Sequence, residues 1–305
     1  RLMKAIPVVF HPIYSQLKLT KNHRFPIEKY RTLRDKAFTV YGEKLAEYSV
    51  KERASPFSLE LVHDTAYIER FLAGTISEKE MKRIGFPWSQ QFVDRTLTAV
   101  SGTLSASELA SELGFAINFT GGYHHAHPDF GSGFCVFNDL VIAAKTLLNE
   151  HRASRVLIFD CDVHQGDGTA VCAFDDANIF TLSVHCEKNF PARKQNSDWD
   201  LGLDKHSDDN NYLTAVASVL DAAVNSFKPD FIIYDAGVDI HIDDDLGHLN
   251  ISTQGIYRRD QLVLNQAKQL DIPLMAVIGG GYQRNIDALV EQHMQLVHAA
   301  VKIFL

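Results

Sequence analysis

Val156-Leu157-Ile158-Phe159, four apolar residues, run directly into Asp160-Cys161-Asp162-Val163-His164-Gln165-Gly166-Asp167-Gly168. A short β-rich run without polar alternation suits a strand buried on both faces, as in a parallel sheet. The same design recurs along the chain. Val8-Val9-Phe10 stops at His11-Pro12, Phe115 to Phe119 at Thr120-Gly121-Gly122, and Ile179 to Val184 at His185. Phe231 to Tyr234 stops at Asp235-Ala236-Gly237, and Leu274 to Ile278 at Gly279-Gly280-Gly281. Between these runs, Val136 to Asn149, Tyr212 to Phe227 and Thr253 to Leu270 carry apolar residues at the three-to-four spacing of a helix. Alternating strands and helices predict an α/β fold with right-handed crossovers. Ligands of such sheets bind beyond the carboxyl ends of the strands, so chemistry is expected in the clusters that end each run.

Composition narrows the class. The 305 residues are 46% hydrophobic and 22% charged, close to soluble globular averages, which excludes disordered, collagen-like and disulfide-scaffold proteins. The 30 Lys and Arg against 38 Asp and Glu give a formal charge of -8. With no basic cluster, nucleic acid is not an expected partner, whereas a lysine-bearing peptide or a polyamine is compatible with the charge. Cys135, Cys161, Cys172 and Cys186 form no CxxC pair and read as reduced, buried thiols of a cytoplasmic protein. The apolar stretch Ala5 to Phe10, cut by Pro7, is too short for a signal segment or for a membrane span of about 20 residues. No repeat, low-complexity tract or linker interrupts the chain, so residues 1–305 are expected to form one domain.

Residues two apart in extended backbone face the same way, so Asp162 and His164 can converge on one ion. Mixed carboxylate and imidazole donors suit zinc or a similar transition metal. A glycine-rich turn whose Asp residues cap a helix satisfies the same spacing. Calcium fits worse: counted from Asp160 the glycine is seventh rather than sixth, and Val171 stands where a bidentate Glu belongs. Gly121-Gly122-Tyr123-His124-His125-Ala126-His127-Pro128 offers adjacent imidazoles, a candidate acid/base pair near neutral pH. Asp239 is a candidate third ligand, and Asp243-Asp244-Asp245 reads as a solvated acidic loop. Gly279-Gly280-Gly281-Tyr282 lets backbone approach a ligand and sets a tyrosine beside it, without the spacing of a phosphate-binding loop. Two carboxylates and one imidazole leave an open coordination position, the His pair moves protons, and a tyrosine can meet a developing oxyanion. Metal-assisted amide hydrolysis requires that inventory.

These segments resemble the histone deacetylase superfamily. The likeness is carried by Gly121 to His125, Ser132-Gly133-Phe134-Cys135, Asn138-Asp139, Asp160 to Gly168, Ala236 to Asp239 and Gly279 to Tyr282. His23-Arg24-Phe25-Pro26 and Glu28-Lys29-Tyr30 are similar to the family's N-terminal signature. Gln165, where the larger groups usually carry a second histidine, is similar to the class IV branch and its bacterial relatives. The resemblance implies the arginase/deacetylase fold, a single α/β domain with a mostly parallel sheet of about eight strands and helices on both faces. It implies one Zn2+ per chain on Asp162, His164 and Asp239. It also implies His124 and His125 as general base and acid, oriented by Asp160 and Asp167, with Tyr282 as oxyanion donor. Phe134 and Phe190 would wall an acyl-lysine tunnel, with Gly133 accepting from the substrate amide. A structural monovalent cation, usually K+, would sit near Asp160, His164, Ser183 and Val184.

An arginase-type ureohydrolase with two manganese ions would carry bridging carboxylates two places after His164 and two before Asp239, where this chain has Gly166 and Gly237. A non-catalytic acyl-lysine or small-molecule binding protein on the same scaffold should have lost a ligand, the His pair or the tyrosine, and all are present. The expected reaction is hydrolysis of an acylated lysine in a protein or peptide, with an acetylated polyamine or another small amide as the alternative. The class IV likeness favours long acyl chains. Gly85-Phe86-Pro87-Trp88-Ser89 is expected at the tunnel rim.

Overall fold

The apolar runs become the middle of one sheet. In a computed structural model that describes residues 3–305, the strands are β1 (Ile6–Phe10), β2 (Leu45–Ser49), β3 (Phe115–Asn118), β4 (Val156–Asp160), β5 (Ile179–Cys186), β6 (Trp199–Leu203), β7 (Phe231–Asp235) and β8 (Leu274–Val277). They pair in the order β2-β1-β3-β8-β7-β4-β5-β6, and every neighbouring pair is parallel. Every residue of β1, β3, β4, β7 and β8 is buried, which is why these runs show no polar alternation. Each large apolar side chain so buried stabilises the fold by roughly 1.5–3 kcal/mol.

The edges read differently. The β2 segment Leu-Ala-Glu-Tyr-Ser is buried at Leu45 alone, and the β6 segment Trp-Asp-Leu-Gly-Leu alternates half-buried with exposed residues. Neither edge strand carries the unbroken apolar signal, and neither is predicted from the sequence. The β5 strand also runs past the expected stop at His185 to Cys186.

Helices cover both faces. On one, α5 (Gln90–Leu113) packs on β1, β3 and β8, with α6 (Asp139–Asn149) beside it. On the other lie α1 (Lys29–Tyr41), α10 (Ile286–Phe304), α9 (Thr253–Gln269) and α8 (Asp209–Phe227). Capping sets the starts: Asn138 accepts from the Val141 N–H, so α6 begins three residues after the apolar pattern at Val136, and Asp208 starts α8 ahead of Tyr212. The shorter α2 (Pro56–Leu59), α3 (Thr65–Ala73) and α4 (Glu78–Ile84) precede α5, and the short α7 (Asp167–Cys172) follows β4. Among the described residues no helix is long and apolar enough to cross a membrane, and all four cysteines are buried free thiols.

The carboxyl ends of β3, β8, β7, β4 and β5, five consecutive strands of the sheet, open onto the loops that hold every chemistry-bearing cluster.

Candidate active site

Asp162 and His164 leave the end of β4, and Asp239 leaves the loop after β7. One donor atom from each lies within 4.8 Å of the others, and all three residues are buried. His164 Nδ1 sits 3.1 Å from Asp162 Oδ1 and 3.1 Å from Asp239 Oδ2. Two donors about 2.0–2.1 Å from one tetrahedral ion stand about 3.3 Å apart, so this spacing suits a shared metal. The remaining carboxylate capacity is taken by main chain: Asp162 accepts from the N–H groups of His164 and Gly280, and Asp239 from that of Val163. A Cβ at Gly280 would lie 2.3 Å from Asp239 Oδ2 and 2.5 Å from Asp162 Oδ2, so the close approach requires glycine. Burial on its own lowers His164, but the bonds to Asp162 and Asp239 push it up to about 10. Burial and then Asp162 push Asp239 up to about 7. The gathered negative charge of the two carboxylates raises both groups, and a divalent cation suits that position. A Cys-free set of two carboxylates and one imidazole is the donor chemistry of an open, catalytic zinc site.

His124 and His125 stand side by side after β3, ring centroids 4.1 Å apart. His124 Nδ1 donates to Asp160 Oδ2 at 2.5 Å and His125 Nδ1 donates to Asp167 Oδ1 at 2.6 Å. Burial on its own lowers His124, but Asp160 and Asp162 outweigh it and hold the ring well above its ordinary value. Burial, then the charge on His124, holds His125 down to about 4. The two rings are thus shifted in opposite directions, His124 up and His125 down. Asp167 takes a second bond, at 2.9 Å, from His127 Nε2. Burial, which raises its carboxyl, is outweighed by these two histidines, and the group stays well below the usual carboxylate range. A second cluster with donor atoms within 4.8 Å, His124, Asp160 and Asp235, lies behind the first.

Tyr282 follows the glycine run, and its hydroxyl makes no hydrogen bond among the described residues. Its main-chain N–H donates to Asp244 Oδ2, whose other oxygen takes the Leu246 and Gly247 N–H groups. Asp244 is therefore a buried loop anchor, a correction to the solvated reading of Asp243-Asp244-Asp245. Asp245 pairs with Arg24 and Arg284, and Asp243 is exposed. A cavity of about 320 Å³ is lined by His125, Gly133, Phe134, His164, Asn189, Phe190, Leu246, His248 and Tyr282. Gly133 has φ +50°, and a Cβ there would meet the His125 ring at 2.7 Å. Phe190 packs edge-on against His125 with centroids 4.9 Å apart and is 47% exposed. Gly85 to Ser89 does not form the rim: Phe86 is buried behind Phe134, Trp88 Nε1 donates to Phe71 O, and Ser89 caps α5.

Of the residues expected around a monovalent cation, Asp160 and Ser183 are register partners on β4 and β5, Val184 follows on β5, and His164 is in the loop after β4. Two of their side-chain atoms already have partners: Asp160 Oδ1 takes the Asp162 N–H, and Ser183 Oγ pairs with His185 Nδ1. Gln165 holds a segment before β6, donating to Gln195 O and Asp200 and accepting the Gln195 N–H. Two supports escape the sequence reading. Lys29 is buried and donates to Gly279 O at 3.1 Å and Gly281 O at 3.4 Å. Arg259, on α9, donates to Ala236 O and Gly237 O, fixing the loop that carries Asp239. For Lys29 the sole sequence signal is its place in Glu28-Lys29-Tyr30; for Arg259 there is none.

The profile of the histone deacetylase domain matches residues 23–297. The chain belongs to the histone deacetylase family. It is a deacetylase-family hydrolase, and its relatives span plants and bacteria. An uncharacterized protein of Picosynechococcus sp. is 46% identical over 98% of this chain and 100% of its own length. Histone deacetylase 2 of Arabidopsis thaliana is 32% identical over 78% of this chain, and the acetoin utilization protein AcuC of Staphylococcus aureus is 33% identical over 75%. The matches span 58% of the plant protein and 64% of the staphylococcal one. The crystal structure of acetylpolyamine aminohydrolase from Burkholderia pseudomallei superposes with a TM-score of 0.79 at 18% identity, covering 97% of this chain and 98% of that one. The arginase/deacetylase fold, expected as about eight mostly parallel strands, is present with eight strands, all parallel.

Proposed function

We propose that residues 1–305 act as one catalytic domain that hydrolyses the amide of an acylated lysine, using one zinc ion held by Asp162, His164 and Asp239. The observation that carries this reading is the cavity of about 320 Å³ whose wall holds His164, His125 and Tyr282 together, between two phenylalanine rings. Bound there, zinc would polarise the acyl carbonyl and bring the pKa of the attacking water from 15.7 towards about 7.

The chain's own groups supply the rest. Phe134 and Phe190 pack on the aliphatic stem of the substrate and exclude water, and the Gly133 carbonyl accepts from its amide N–H. His125 donates Nδ1–H to Asp167, which leaves Nε2 free to accept the proton of the attacking water. As the C–N bond breaks, His125 returns that proton to the leaving amine, giving free amine and carboxylate. His124, held by Asp160, stands beside the developing negative charge. The resemblance gives the base role to His124; His125 takes it in this reading because its ring lines the cavity. Tyr282 Oη donates to the oxygen on which charge develops. A monovalent cation near Asp160, His164, Ser183 and Val184, and a class IV affiliation through Gln165, form part of the same reading and rest on the resemblance.

A second substrate class, an acetylated small amine, presents the same amide on the same aliphatic stem. The acetylpolyamine aminohydrolase neighbour supports it on the fold alone. Zinc-loaded protein is expected to release acetate or fatty acid from acetyl-lysine or myristoyl-lysine peptides, with loss of release after chelation and recovery on zinc addition. Turnover of acetylpolyamines with both peptides inert would transfer the reading to the small amines. Inertness towards all three with one zinc bound would overturn it.

A further inference from the structure

His127, the third imidazole of the Gly121–Pro128 segment, is immobilised on every side. Its main-chain N–H donates to Phe130 O at 2.9 Å, and its carbonyl accepts from His63 Nδ1 at 2.9 Å. His63 Nε2 accepts the Asn138 N–H at 2.9 Å, so the His63 proton is on Nδ1 and the bond to His127 is a donated one. The His127 ring stacks on Phe130, with centroids 4.3 Å apart and planes at 16°, and the Arg83 guanidinium lies 4.2 Å from the Phe130 centroid. This framework presents His127 Nε2 to Asp167 Oδ2 at 2.9 Å, while Asp167 Oδ1 takes the His125 N–H.

The two Asp–His dyads differ in what holds the carboxylate. Asp160, which orients His124, has a main-chain donor on its second oxygen, the Asp162 N–H at 3.0 Å. Asp167 has none: among the described residues its carboxylate is bonded by His125 and His127 alone. It opens α7 directly after Gly166. A carboxylate bonded through one oxygen rotates about a broad χ2 well, and a partner imidazole swings with it.

We infer that His127 is a positioning residue for His125: its Nε2–H does for Asp167 what the main-chain N–H of Asp162 does for Asp160, fixing the carboxylate plane that orients His125 and its tautomer. Because a carboxylate offers no proton, both rings must present N–H to it, and His125 Nε2 is left bare towards the cavity. His127 itself touches no reacting atom. The kinetic part of this inference rests on the proposed amide hydrolysis; the geometric part does not.

Two substitutions separate donor from packing. His127→Gln keeps an N–H at similar reach, whereas His127→Phe keeps the ring that stacks on Phe130. The readouts are kcat and KM on an acyl-lysine peptide, zinc per chain, and the low-field proton resonance of His125 Nδ1–H, assigned by its loss in His125→Ala. The expected result is that His127→Phe lowers kcat about ten- to hundredfold, the range for partners that orient site ligands, with KM within about twofold and zinc unchanged. The resonance should broaden or vanish in His127→Phe, and His127→Gln should restore both it and kcat to within about threefold. Wild-type kcat and resonance in His127→Phe overturn the inference, as does equal damage in both variants. Should His127→Phe not fold, the same resonance in His127→Ala decides. Absence of turnover in the wild type on every acyl amide defeats the proposed reaction instead, and the resonance still judges His127.

Discussion

Tyr282→Phe removes one oxygen atom from a position where the fold does not use it. The Tyr282 hydroxyl has no protein partner among the described residues and faces the cavity, so its loss leaves no buried donor or acceptor unsatisfied. The ring stays where it is, held by its packing at 5.9 Å centroid distance on Phe134 and by the main-chain bond to Asp244. Burial, followed by the charges on Asp162 and Asp239, keeps the phenol well above its ordinary pKa, so it is a donor throughout the working pH range. An oxyanion donor in such a site is worth about 2.7–4 kcal/mol of transition-state stabilisation. At 1.36 kcal/mol per decade of rate, that is roughly two to three orders of magnitude in kcat. The loss should fall on kcat and leave zinc content and melting temperature unchanged, because no ground-state bond of the folded protein is broken. The assay is single-substrate kinetics on the acyl-lysine peptide that the wild type turns over, with zinc per chain and thermal unfolding measured on the same samples. A kcat within threefold of wild type, with zinc bound, refutes the role of Tyr282.

Two further perturbations address the buried charges. Asp239→Asn should lower zinc affinity by more than about a hundredfold, since loss of even an outer partner lowers affinity 10–100-fold; chelator competition measures it, and wild-type affinity would remove Asp239 from the ligand set. Asp235 is buried with Oδ2 unpartnered among the described residues, and burial, then Asp160 and Asp162, hold its carboxyl well above its ordinary value. The native state therefore keeps a proton that the unfolded chain releases above about pH 3.9, and this group weakens the fold as pH rises. In metal-free protein, Asp235→Asn should match the wild type near pH 4 and be the more stable at pH 7, by about 1 kcal/mol or more; equal denaturation midpoints at both pH values would count against a neutral Asp235.

The sequence showed the residues proposed for the reaction more clearly than the residues that hold them. Asp162, His164, Asp239, the His pair and Tyr282 each sit a few residues beyond an unbroken apolar run, because a parallel sheet buries its strands on both faces and delivers loops at one end. The edge strands escaped for the same reason reversed: β2 and β6 are wetted along one side, and their short, mixed segments resemble loops. Gly85 to Ser89 misled because its aromatic and glycine content suits a rim equally well as a packing layer, and Phe86 in fact backs Phe134.

The supporting groups are hidden by a more general cause. Lys29 meets the carbonyls of Gly279 and Gly281, 250 and 252 positions away, and Arg259 meets those of Ala236 and Gly237. A main-chain carbonyl is offered by every residue, so such a bond leaves no type or spacing at its other end by which a sequence can announce it. The same holds for Asp162 and Asp239, whose spare oxygens are satisfied by the N–H groups of Gly280 and Val163. Side chain meeting side chain is the exception, and it is where reading could have gone further. His127 lies two residues after His125 in a segment already marked for proton transfer, and its partner Asp167 lies in the Asp160 to Gly168 segment. Both residues of that bond stand in segments the sequence singles out. What was not visible is that one carboxylate serves two imidazoles, since a carboxylate's second oxygen leaves no trace in the sequence until the fold shows what reaches it.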